Sequence, residues 1–253
     1  MTEAGKEQEV ILIMVDISGY TKFMLKHKTD ISHAQIVVSE LMKSVITEIE
    51  IPLEISKLEG DAIFCYAMHD STDAVWQEKA REISDKLYKF FDAFAARLSK
   101  LQETSICSCK ACCSMHKLKL KVLVHAGKAL LYHIGRFEEL SGVDVILVHR
   151  LLKNNVDSDQ YLLLTEPAYQ LLHPGEKANF VKAEEKYDVS RVAIYVHDLE
   201  EKSLKEDPQA GFRNLSPWGM AQSVISILRY GKQLKKDPEK RSFKFLEMVA
   251  TGS

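Results

Sequence analysis

The sequence predicts an α+β protein, a mostly antiparallel sheet covered by helices, and three observations carry that prediction. Val10 to Val15 is an unbroken aliphatic run, as a buried strand requires, and it stops at a single carboxylate, Asp16. Leu53 to Tyr66 reads as two short strands joined at Glu59-Gly60-Asp61, a tight-turn composition. Residues 32–49 and 70–98 repeat apolar side chains every three or four positions, the signature of amphipathic helices.

Taken in order, the first strand ends at Asp16-Ile17-Ser18, and Gly19 and Thr21 then open a helical pattern carrying Tyr20, Phe23 and Met24. An acid is thereby set at a strand end beside a helix N-terminus, whose free N–H groups attract phosphate. The simpler reading is that Asp16 caps the helix. Ala34, Val37, Val38, Leu41, Val45 and Ile49 mark the next helix. The Lys57 hairpin follows, and its turn holds Asp61. Two carboxylates at strand ends can converge on a pair of divalent cations, which activate an attacking oxygen and stabilise a leaving phosphate. Alternatively Asp61 is only a turn residue.

Asp70-Ser71-Thr72 supplies cap candidates for a long helix with the stripe Val75, Trp76, Ala80, Ile83, Leu87, Phe90, Phe91, Phe94 and Leu98, which reads as core. Behind it four of the five cysteines crowd together as Cys107, Cys109, Cys112 and Cys113, with His116 three positions on. Thiolates on short spacers with an imidazole nearby suit tetrahedral zinc in a structural role, pinning the loop before the next strand. Partly buried structural thiols are the other reading. Cys65 lies apart in a strand and reads as core.

Leu118 to Gly127 reads as a strand and Ala129 to Gly135 as its hairpin partner, with His125 and His133 in structural roles. Gly142 to Leu152 reads as a helix entered through a glycine. Leu162 to Leu164 is a short strand, Thr165-Glu166-Pro167 opens a brief helix through Leu172, and Arg191 to His197 is the last strand. Residues 201–216 are polar and read as a linker. Ser216-Pro217 then starts an amphipathic helix with Trp218, Ala221, Val224, Ile225 and Leu228, expected to pack on the domain or a dimer mate.

Over 253 residues, 46% apolar and 28% charged content is that of a soluble globular chain with a sizeable core. A net charge of −2 gives no support for a nucleic-acid partner or an anionic membrane surface. The polar N-terminus has no signal-peptide core, and no apolar run approaches the roughly 20 residues that span a bilayer. The expectation is a cytoplasmic protein with reduced thiols, so the cysteines are not read as disulfides.

Asp16-Ile17-Ser18-Gly19-Tyr20-Thr21-Lys22-Phe23, followed by Lys57-Leu58-Glu59-Gly60-Asp61-Ala62, resembles the catalytic core of the class III nucleotide cyclases, most closely a bacterial cyclase-homology branch of unknown function. The resemblance covers residues 8–200 and implies a ferredoxin-like core with residues 201–253 as a linker and helical extension. It implies a head-to-tail homodimer with sites at the interface. Asp16, Asp61 and the Ile17 carbonyl would hold two Mg²⁺ or Mn²⁺ ions. Ser18, Gly19, Tyr20 and Thr21 would line the phosphates, and Lys57 and Glu139 would read adenine. Arg150, from the other subunit, would meet transition-state charge. The family's helix carries an asparagine one turn before that arginine, where this chain has Ile146. The implied activity is conversion of ATP to 3′,5′-cyclic AMP and pyrophosphate, slowed by Ile146. The alternative is a catalytically degenerate nucleotide- and metal-binding sensor or interaction module with a zinc-stabilised loop.

Overall fold

The computed structural model describes residues 7–199, apart from residues 70–71, 106, 108, 175–178 and 188–189. The linker and C-terminal helix expected beyond residue 200 lie outside the described residues, as do the cap candidates Asp70 and Ser71. At the centre is β1 (Glu7–Ser18), flanked antiparallel by β3 (Ala62–Met68) on one side and β4 (Lys119–Ile134) on the other. β2 (Glu54–Glu59) extends the sheet beyond β3. On the other side follow β6 (Tyr161–Thr165), β8 (Ser190–Asp198) and β7 (Val181–Tyr187). β5 (Phe137–Ser141) folds back on the far half of β4. Among the described residues β4 and β6 are the one parallel pair, joined through a helical crossover as parallel pairing demands.

Because side chains alternate along a strand, β1 serves two cores. Ile11, Ile13, Val15 and Ile17 pack with α2 (Ile31–Ile46), α3 (Asp73–Thr104) and α6 (Glu166–Leu172). Val10, Leu12 and Met14 point the other way, toward Phe64, Tyr66, Leu123 and the α5 residues Val145, Val148 and Leu151 (α5, Val143–Leu151). Two short helices, α1 (Tyr20–Lys26) and α4 (Lys110–Ser114), join the first layer through Phe23 and Ala111. α3 runs about 48 Å at the standard helical rise, long enough to cross the sheet. Its buried stripe is Trp76, Ala80, Ile83, Leu87, Phe90, Phe91 and Phe94 as predicted, whereas Val75 is exposed and Thr72 is the N-cap. The helix predicted over 32–49 stops at Ile46.

The sequence predicts two strands divided near Gly127, but β4 runs unbroken from Lys119 to Ile134 and turns back at Gly135, whose φ is +63°. Gly127 is a glycine for a different reason. A Cβ there would collide with the carboxyl group of Asp144, 2.8 Å from that residue's own Cβ. Asp144 stands where it does because its Oδ2 accepts a hydrogen bond from the Lys128 N–H (2.7 Å) and its Oδ1 lies 3.1 Å from His125 Nε2. His125 Nδ1 in turn is 2.8 Å from the buried Thr165 hydroxyl, so this histidine ties β4, β6 and the start of α5 together. His133 sits at the exposed end of the β4–β5 hairpin, 3.3 Å from Glu138. His125 thus has the structural place expected of it, whereas His133 stands in solvent. β7 is not foreshadowed by the sequence: Val-Lys-Ala-Glu-Glu-Lys-Tyr is mostly solvent-exposed and edges the sheet.

Gly127→Ala is expected to destabilise the fold by about 1–3 kcal/mol, because the new methyl displaces Asp144 from both partners. Urea unfolding at unchanged m-value checks this, with Gly135→Asn, at a turn that has open space around it, as the tolerated control.

Candidate active site and a candidate metal cluster

The β1 register sets Asp16 opposite Ala62 on β3 and Lys121 on β4. The β2–β3 turn closes through Gly60 at φ +68°, a backbone that favours glycine, which leaves Asp61 immediately before β3 and beside Asp16. Lys121 Nζ lies 2.9 Å from Asp16 Oδ2, with the two side chains only 19% and 15% exposed. Burial pushes the Asp61 carboxyl up to about 7, and the neighbouring Asp16 carboxylate adds to that rise. For Lys121, burial opposes the charge, but Asp16 with help from Asp61 outweighs it and holds the ammonium above the ordinary lysine range. Two crowded carboxylates with one cation suit divalent-cation binding, since a metal ion relieves the repulsion that protonation of Asp61 otherwise relieves.

Nothing in the sequence marks Lys121 except the alternation of Lys119 and Lys121, which puts every second side chain on one face. The pairing with Asp16 exists only in the folded sheet. At the same strand end Ile17 buries its side chain on the opposite face and Ser18 is buried. Gly19, at φ +83°, is the N-cap of α1, and no side chain caps the helix. The first-turn N–H groups at Tyr20 and Thr21 therefore receive no side-chain acceptor from the N-cap position.

A second polar group lies along the α5 face of the sheet. Lys57 pairs in register with Phe64, and its Nζ is 3.4 Å from Glu139 Oε2 on β5 and 3.6 Å from Glu59 Oε1. Lys57 and Glu139 are 82 residues apart in sequence. Glu59 also meets His149 Nε2 at 3.3 Å, and the His149 ring stands edge-on to Phe64. Ile146 and Arg150 are one turn apart on α5; Ile146 is 57% exposed, Arg150 is exposed, and both line a shallow cavity of about 350 Å³ with Val145, His149 and Lys153. Ile146 is thus a surface residue and not part of the core.

The cysteine stretch forms a separate cluster. Cys107, Cys109 and Cys112 meet His33 from the first turn of α2, and one ligand atom from each lies within 4.8 Å of the others. These four could hold a metal ion. The expected histidine, His116, stays outside the cluster, its Nδ1 3.1 Å from the Cys113 carbonyl, and Cys113 is exposed. His33 lies 74 residues before Cys107, so spacing within the cysteine stretch could not reveal it. Cys65 is core, as predicted, and burial pushes its thiol up to about 12.

The family described as a protein of unknown function, DUF2652, matches residues 38–161. The uncharacterised protein Rv2561/Rv2562 of Mycobacterium tuberculosis is 33% identical over 135 residues, which are 53% of this chain and 60% of that one. The chain thus spans less than two thirds of this relative. Among solved structures, the adenylyl cyclase CyaB from P. aeruginosa superposes with a TM-score of 0.56 at 14% identity, covering 79% of this chain and 98% of that one. The guanylyl cyclase Cya2 gives 0.57 at 11% identity, covering 79% and 96%. A class III adenylyl cyclase-like ATP-binding protein from Pseudomonas aeruginosa gives 0.50 at 17% identity, covering 66% of this chain and 35% of that one. The chain has the class III nucleotide cyclase fold. Among the described residues no helix is long and apolar enough to cross a membrane.

The carboxylate pair makes a testable statement about stability. The folded pKa of Asp61, about 7, lies above its ordinary value of 3.8, so the folded chain holds an extra proton between those pH values. The stability this contributes is complete below pH 3.8 and is lost as pH rises through 7. In chelator at pH 8, Asp61→Asn is expected to melt above the parent, with the gap closing as the pH falls toward the ordinary carboxylate range. Thermal melts across that range check it, and an Asp61→Asn variant that melts no higher at pH 8 contradicts it.

Proposed function

We propose that the chain is a slow, two-metal-dependent adenylate cyclase that converts ATP to 3′,5′-cyclic AMP and pyrophosphate as a homodimer. The observation that carries this reading is the Lys57–Glu139 pair, brought together from distant strands on the sheet face that also bears Asp16. Adenine offers an acceptor at N1 and a donor at N6 along one edge, and an ammonium beside a carboxylate complements that order. Guanine reverses it.

Asp16, Asp61 and the Ile17 carbonyl would hold two Mg²⁺ or Mn²⁺ ions, which when bound ease loss of the ribose 3′-proton and stabilise the triphosphate. Asp61 would hold a cation as the carboxylate. The uncapped N–H groups after Gly19 receive phosphate oxygens. A helix of seven residues aligns few peptide dipoles, so Lys121 supplies much of the countercharge. Arg150 of a second copy neutralises charge that develops at the α-phosphorus as the 3′-oxygen attacks in line.

Purified chain with ATP and Mn²⁺ is expected to form cyclic AMP, with Asp16→Ala and Asp61→Ala each below about 1% of the parent rate. Undiminished product from either variant overturns the two-metal assignment. Mixing the inactive Asp16→Ala and Arg150→Ala chains is expected to restore part of the activity through mixed dimers, and a mixture that stays inactive contradicts the shared site.

One observation favours a second reading, a nucleotide-binding module without turnover. Ile146 presents an exposed apolar side chain where the cyclases carry an asparagine amide, and loss of one preorganised donor costs about 10²–10³ in rate. Ile146→Asn is therefore expected to raise kcat, by at most that factor, with ATP affinity nearly unchanged. If parent and variant both bind ATP and metal yet form no product, the second reading holds.

A further inference from the structure

We propose that His33, Cys107, Cys109 and Cys112 bind one Zn²⁺ and that the ion clips the start of α2 to the segment between α3 and β4. This stands apart from the cyclase reading, because none of its ligands belongs to the Asp16–Asp61 site.

The sulfur–nitrogen distances suit a tetrahedral S₃N site. With Zn–S near 2.3 Å and Zn–N near 2.0–2.1 Å, the edge between a sulfur and a nitrogen ligand is about 3.6 Å. His33 Nδ1 lies 3.3 Å from Cys107 Sγ, 3.5 Å from Cys109 Sγ and 3.9 Å from Cys112 Sγ, a spread centred on that edge. One imidazole nitrogen facing three sulfurs at once cannot hydrogen-bond well to all of them, whereas a central ion satisfies the whole set. The Cys112 N–H also points at Cys109 Sγ (3.4 Å), the kind of backbone donor that steadies a thiolate. The cysteines are free thiols and not paired in disulfides. Three soft sulfurs and one imidazole in this shape select zinc over harder cations. On binding, the thiols release their protons to solvent, and three thiolates with one dication leave a net charge of −1.

The position of the clip indicates what it does. His33 follows directly on α1 and the single turn Lys28–Asp30, and the cysteines precede β4. The same two segments meet again nearby, where the Ser114 hydroxyl lies 2.7 Å from Nε2 of the buried His27. They meet a third time where a Cβ on Gly19 would stand 3.4 Å from the Lys117 carbonyl. Zinc would thus brace the two segments that meet at Gly19, three residues after Asp16.

Elemental analysis of the full chain, purified under reducing conditions without added metal, is expected to find about one zinc per chain. Cobalt in its place is expected to show the visible bands of tetrahedral Co²⁺ with near-ultraviolet thiolate charge transfer. In competition with a chromophoric chelator, His33→Ala is expected to lower zinc affinity more than about tenfold, while His116→Ala and Cys113→Ser leave it unchanged. His33→Cys, which offers a fourth thiolate, is expected to retain one zinc and guards against a folding defect in the alanine variant. An Asp16→Ala/Asp61→Ala chain is expected to keep its zinc, which separates this test from that of the cyclase. Reduced parent chain that takes up no zinc in titration overturns the proposal, as does loss of zinc in His116→Ala with retention in His33→Ala.

Discussion

The two-sided pairing of β1 is the constraint on which the rest depends. Paired with β3 and β4 at once, the strand has no freedom to slip, since a shift of one residue would turn both hydrophobic faces inside out. The same register puts Asp16 opposite Lys121 and next to Asp61 on the β2–β3 turn. The packing free energy of two cores therefore holds two carboxylates in a place neither would occupy by its own electrostatics. That is how a fold can keep an acid near pKa 7 in a partly buried site: the cost is local and the cohesion is distributed.

The division of the sheet into two unlike faces follows from the same strand. One face is closed by α2, α3 and α6 and holds the larger core. The other has α5 over its middle and leaves a polar margin in which Lys57, Glu59, Glu139 and His149 are linked by polar contacts of 3.3–3.6 Å. These pairs are partly exposed and add little to stability. Their value is positional, since they hold a donor and an acceptor side by side. Asp144, which accepts from the Lys128 N–H and stands beside His125, fixes α5 against β4, and through it the exposed pair Ile146 and Arg150.

Much of this was legible from residues alone, because it rests on local pattern. An aliphatic run ending in Asp, a glycine turn ending in Asp and a glycine-entered helix each declare their geometry within a dozen positions. The helical stripe did so too, apart from Val75, which stands one step off the buried face, and Leu98, which is only half-buried. What escaped depends on distant residues. Gly127 looks like a turn, but its small size answers to Asp144, seventeen positions later along the chain. Lys121 and His33 are unremarkable in their own segments and acquire partners only when β4 meets β1 and α2 meets the cysteine stretch. β7 lacks an apolar face over most of its length, so periodicity had nothing to detect.

The central claim is that the Asp16–Asp61 strand end and the Lys57–Glu139 pair form one nucleotide site. A crystal structure of the full chain with Mn²⁺ and an unreactive ATP analogue tests it most directly. The account predicts two anomalous manganese peaks between the Asp16 and Asp61 carboxylates and the triphosphate, with adenine N1 and N6 against Lys57 and Glu139. Manganese absent from those carboxylates, or adenine seated away from Lys57 and Glu139, would contradict it.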